Sequence, residues 1–111
     1  MAQKNLTQKN FAQIERIKQM EKILDESNVA VEELSNALKK YEAIQKKYYA
    51  LSAYYGSVRW MKDYEDDESG KIPKNLKRAV LSEDAVYDLI QNHRSLITRM
   101  SKCVVAHLEN E

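Results

Sequence analysis

Apolar residues recur at helical spacing along the first half of the chain, from Phe11, Ile14, Ile17 and Met20 through Leu24, Val31, Leu34 and Leu38 to Tyr41, Ile44, Tyr48, Leu51 and Tyr55. No Gly or Pro interrupts the stretch Thr7 to Tyr55. One heptad frame runs through Ile17, Leu24, Val31 and Leu38, and a second through Met20, Ser27, Leu34, Tyr41, Tyr48 and Tyr55. Together they form a coiled-coil-like seam that is interrupted at Ser27 and Gln45. Asp25-Glu26-Ser27-Asn28 carries capping chemistry, yet the stripe keeps its phase across it. One unbroken helix of about 49 residues is roughly 70 Å long, too long for a compact domain of this size. A bend or break is therefore expected, either near Ser27-Asn28 or within Lys39 to Lys47.

Gly56 suits the end of this helix, where positive φ is wanted, and Ser57 can cap the next one. A short helix over Val58 to Asp66 is expected to turn Trp60, Met61 and Tyr64 inward. The segment DDESGKIPKNLKR is rich in turn chemistry, with one helical turn expected around Asn75 to Ala79. Ser82 is the expected N-cap of the last helix, with Glu83 and Asp84 placed well against its dipole. That helix runs to about Leu108 and carries Val86, Leu89, Ile90, His93, Leu96, Ile97, Met100, Val104 and Leu108 on one face. The pattern predicts an all-α fold, an antiparallel three- to four-helix bundle with a long coiled-coil-like N-terminal segment. A single domain over residues 1–111 is expected, and the Tyr-rich seam suits self-association into a dimer.

Composition narrows the choice further. Two Gly and one Pro in 111 residues leave few turns, which excludes β-sandwiches and barrels. Hydrophobic residues at 43% argue against wholesale disorder, and charged residues at 32% suit amphipathic helices. Eighteen basic against seventeen acidic residues give a net charge of +1, which removes the global electrostatic case for nucleic acid or an anionic membrane. Cys103 is the single cysteine and closes no intrachain disulfide. No apolar run approaches the ~20 residues of a membrane span, and MAQKNLTQKN lacks the apolar core of a signal peptide. A cytoplasmic location is the expectation.

Three constellations carry candidate chemistry. Asp63, Glu65, Asp66, Asp67 and Glu68 place five carboxylates in six residues. Such density can serve Mg²⁺ or Ca²⁺, but the calcium-loop pattern counted from Asp63 puts Glu68 at the glycine position and Lys74 at the closing glutamate. A solvated helix end answered by Lys71, Lys74, Lys77 and Arg78 is the simpler reading. Tyr41, Tyr48, Tyr49, Tyr54, Tyr55 and Trp60 are interleaved with Lys39, Lys40, Lys46, Lys47 and Arg59, which single-stranded nucleic acid can use. Tyr41, Tyr48 and Tyr55 lie on the seam and read as core, whereas Tyr49 and Tyr54 fall off it and suit an exposed protein-binding surface. Cys103 and His107 stand at metal-sharing spacing, but without a third ligand they read as a buried thiol and a half-buried histidine. No catalytic triad, phosphate loop or redox cysteine pair can be drawn.

The residues from Gln13 to Arg99 resemble a family of small bacterial helical proteins catalogued as a domain of unknown function, family 4298. Gln13-Ile14-Glu15-Arg16-Ile17, Met20-Glu21, Leu24-Asp25-Glu26, Tyr41-Glu42 and Tyr54-Tyr55 carry the resemblance, with WMKDYEDDESGKIPKNLKRAVLSEDAVYDLI from Trp60 as its most specific part. Ala79 stands where the family pattern has glycine, so the turn before Val80 is expected to be helical rather than left-handed. The resemblance implies one helical domain in a bacterial cytoplasm and brings no activity, cofactor or partner.

Asp66 to Leu81 is a long connection, dense in charge of both signs. It is expected to fold back with Ile72, Pro73 and Leu76 packed over a floor of Trp60 and Tyr64, leaving the acidic run and Lys77-Arg78 outside. The functional expectation is a non-catalytic interaction module acting on an unidentified protein as adaptor, regulator or inhibitor. Its candidate partner surface is Tyr49, Tyr54, Asp63, Glu65, Asp66, Asp67, Lys77 and Arg78. A nucleic-acid accessory protein and a metal-dependent enzyme are the alternatives. No catalytic, cofactor-binding or metal residue is assigned.

Overall fold

The computed structural model describes the backbone of residues 2–111 and the side chains of residues 10–111. Every regular element among the described residues is helical. Helix α1 spans Ala2–Tyr54, α2 spans Val58–Glu68, a 3-10 turn covers Ala79–Leu81 and α3 spans Ala85–Glu109. No helix of the described residues is long and apolar enough to cross a membrane. The chain divides into two units, Met1–Ile44 and Gln45–Glu111.

Residues 2–44 belong wholly to α1, which passes through Ser27-Asn28 and through Lys39 to Lys47 without interruption, so neither expected break occurs. A fold-back is favoured only where it buries the apolar stripe of the segment. Within α1, Ile17, Leu24, Val31, Leu34 and Leu38 are instead exposed, so no packing demand forces a turn there. The polar residues of Asp25 to Asn28 each cost a helix only a few tenths of a kcal/mol, too little to stop it alone.

The Gln45–Glu111 unit holds the buried core, which consists of Trp60, Leu81 and Val86 at 8%, 8% and 4% exposure. Gly56 ends α1 at φ +80, as its position predicts, and the Ser57 hydroxyl accepts the Trp60 amide at 3.2 Å to start α2. Gly70 ends α2 in the same left-handed conformation, φ +77, and the Lys71 amide donates to Asp66 O at 2.8 Å. The one-turn helix lies later than expected, at Ala79–Leu81 rather than Asn75 to Ala79. It is right-handed, since no non-glycine residue among those described has positive φ, in keeping with alanine at position 79. Helix α3 starts at Ala85, yet Ser82 still performs the capping chemistry. Its hydroxyl accepts the Ala85 amide at 3.2 Å and donates to Ala79 O at 2.7 Å, joining the 3-10 turn to α3.

The apolar face of α3 is covered only at its beginning. Val86 is buried and Ile90 and His93 are half-buried, whereas Leu96, Ile97, Met100, Val104 and Leu108 are exposed. Met61, expected to point inward from α2, is also exposed.

Candidate interaction surface

Trp60 organises the region. Its indole N–H donates to Val80 O at 3.0 Å, its ring stacks on Tyr64 with centroids 5.3 Å apart at 17°, and Tyr55 meets it edge-on at 5.3 Å. The Tyr55 hydroxyl in turn donates to Glu83 O at 3.1 Å. Trp60 and Tyr64 do form a floor, but what covers it is the 3-10 turn with Val80 and Leu81. Pro73 and Leu76 are exposed and Ile72 is half-buried, so the packing expected of that triplet is corrected. The apolar run Ala79-Val80-Leu81 directly before the capping serine was the signal for the true cover.

The acidic run is divided among separate partners. Asp63 accepts the Tyr54 hydroxyl at 2.6 Å. Asp66 lies 3.2 Å from the Lys62 ammonium and 3.9 Å from that of Lys71. Asp67 takes the Arg78 guanidinium, whose second nitrogen donates to Lys74 O at 3.0 Å and ties down the loop. Among the described residues no three of His, Cys, Asp and Glu come together as metal ligands. A surface depression lined by Tyr64, Asp67, Glu68, Arg78, Leu81 and Ser82 lies beside the Arg78–Asp67 pair.

Of the candidate surface residues, Tyr49, Glu65 and Lys77 are exposed. Asp63, Asp66, Asp67 and Arg78 are half-buried, so Arg78 does not stand outside with Lys77 as expected. Tyr54 is corrected as well. It is half-buried, and burial first, then the hydrogen bond to Asp63 and the Asp63 charge, pushes its hydroxyl up to about 12. The Tyr54–Asp63 bond spans the Gly56 turn, a relation invisible to periodicity within either helix. Tyr48, a seam residue, stacks on His93 with centroids 4.2 Å apart, and Tyr49 meets both rings edge-on. Cys103 is exposed rather than buried. The exposed His107 pairs with Glu111 at 2.7 Å, one turn further on, and not with the thiol.

The family model described as Domain of unknown function (DUF4298) matches residues 17–103, from the first turns of the α1 stripe well into α3. No curated protein and no solved structure matches the chain.

Proposed function

The chain belongs to the DUF4298 family, and we propose that it is a non-catalytic interaction module that binds another protein as adaptor, regulator or inhibitor. The observation that carries this reading is the uncovered apolar surface. Large apolar side chains are exposed at helical spacing on α1 and on the second half of α3, while among the described residues only Trp60, Leu81 and Val86 are buried. Contiguous exposed apolar surface on a folded protein usually marks an interaction site. Helix faces of this kind are recognised by other helices, through anchors spaced three and four residues apart. In this reading the antiparallel bundle is completed between chains, and the module works as a dimer or with a different helical protein in a bacterial cytoplasm.

The Arg78–Asp67 pair and the Tyr54–Asp63 bond then act as internal braces, and the exposed Tyr49, Glu65 and Lys77 supply the polar rim. The test is affinity capture from lysate of the cells that make the protein, with and without nuclease, using the wild-type chain and the pair Leu96→Glu with Met100→Glu. A stoichiometric protein partner that survives nuclease and is lost from the α3 variant supports the module. Partners that vanish on nuclease treatment, or none at all, overturn it and favour nucleic acid or metal chemistry.

A further inference from the structure

The charges of α1 are arranged in blocks. Asp25, Glu26, Glu32 and Glu33 occupy its middle, and Lys39, Lys40, Lys46 and Lys47 follow. All eight are exposed. Apart from a Lys22–Glu26 contact at 4.0 Å, none has an ion-pair partner among the described residues.

The flanks of the seam differ from one another. With Ile17, Leu24, Val31 and Leu38 at heptad position a, the g positions are Ile23, Ala30, Ala37 and Ile44. The e positions are Glu21, Asn28, Ser35 and Glu42. Two parallel helices set each g residue against an e residue, here Ile23 against Asn28 and Ala37 against Glu42. Two antiparallel helices bring like flanks together, so the apolar g row meets an apolar row and the polar e row a polar one.

We propose that α1 pairs with α1 of a second copy of this chain, antiparallel, with Ala37 at the two-fold axis. Val31 then lies beside Tyr41 of the second copy, Leu34 beside Leu38, and Ala30 beside Ile44. Ser27 meets Gln45, so the two polar interruptions of the seam face each other. Asp25 and Lys46, like Glu32 and Lys39, stand at b, and Glu26 and Lys47, like Glu33 and Lys40, at c, so along each outer flank acidic residues lie level with basic residues of the second copy, each match occurring twice by symmetry. A slip of one heptad either way loses this match: one direction sets Glu32-Glu33 against its own copy, the other Lys39-Lys40. A parallel in-register pair opposes every block to itself. At b and c these charges do not touch across the seam, so they act through a screened field that favours this register and direction while the apolar stripe holds the helices together. Past Gln45 the seam is occupied within the chain, where Tyr48 stacks on His93, and the paired stretch ends there.

The pairing rests on the interaction reading above, of which it names one partner. It is tested by short thiol cross-linkers on full-length chains carrying Cys103→Ser with either Ala37→Cys or Val31→Cys, and by sedimentation of charge variants. The expected result is efficient covalent dimer from Ala37→Cys and little from Val31→Cys. Glu32→Lys with Glu33→Lys weakens association by about twofold or more at low salt and less at high salt, and adding Lys39→Glu with Lys40→Glu restores it. Cross-linking at Val31→Cys but not at Ala37→Cys, association unchanged by the charge reversal, or a monomer at every concentration overturns the pairing. A monomer that still captures a foreign protein through α3 sinks this inference alone and leaves the interaction module standing.

Discussion

The indole N–H of Trp60 donates to the carbonyl of Val80 at 3.0 Å, pinning the first turn of α2 to the 3-10 turn that precedes α3. With Tyr64 stacked on one side and Tyr55 edge-on, this residue is the keystone of the Gln45–Glu111 unit. Trp60→Ala is expected to destabilise the unit by about 3–5 kcal/mol, as large-to-small changes in a core do. Trp60→Phe keeps most of the apolar area but leaves Val80 O without its donor, at about 1–2 kcal/mol. Urea unfolding followed by circular dichroism checks both; equal losses for the two variants contradict a role for the hydrogen bond.

Tyr54 is the group from which an alkaline signature is expected. Its hydroxyl is pushed up to about 12 by burial, then by Asp63, against about 10 in an unfolded chain. The fold therefore favours the neutral phenol. Its contribution to stability is complete below pH ~10 and is lost as the pH rises to about 12. Wild-type protein should lose stability more steeply than Tyr54→Phe across that window, and Asp63→Asn should let Tyr54 titrate earlier. Tyr64 is also raised, chiefly by the charge of Glu68, so phenolate absorbance needs the Tyr54→Phe comparison for assignment.

Gly56 turns the chain from α1 into α2 at φ +80, and nothing lies within 4 Å of where a β-carbon would stand. The penalty for Gly56→Ala is thus one of backbone conformation alone, about 1–2 kcal/mol. Gly56→Asn should cost less, because asparagine tolerates this region better. Thermal melts of the two variants give the order, and equal melting points would refute it.

Asp67 holds Arg78, and Arg78 holds Lys74 O, so one carboxylate secures much of the loop after α2. Asp67→Asn should speed tryptic cleavage after Lys71, Lys74 and Lys77 while changing global stability by only about 1 kcal/mol. Glu65→Gln, on the same helix but exposed and bonded to no side chain through its carboxylate, is the control that should leave the cleavage rate unaltered.

The helices themselves were legible because their signals are local. Gly56 ended α1 and Ser57 capped α2, since positive φ and a hydroxyl acceptor are requirements of the turn alone. Ser82 was recognised as a cap although the regular helix begins three residues later, because its hydroxyl still takes the Ala85 amide. What periodicity cannot supply is the neighbour that covers an apolar face. The stripes of α1 and α3 were visible, but whether they are buried within one chain depends on how that chain returns on itself. The candidate surface differs at Tyr54 for a related reason. A residue off the seam of its own helix reads as exposed, while the next helix, reversing at Gly56, brings Asp63 to meet it.

Trp60 is also the one tryptophan in the sequence, and it sits at the junction of α2 and the 3-10 turn. The protein therefore carries a built-in optical gauge with a narrow field of view. Its ultraviolet emission will register any loosening of Val80 and Leu81 around the indole. A ligand or second chain that leaves the surroundings of Trp60 undisturbed will be spectroscopically silent. A change in emission colour will then tell, without any label, that the Gln45–Glu111 unit itself has been disturbed.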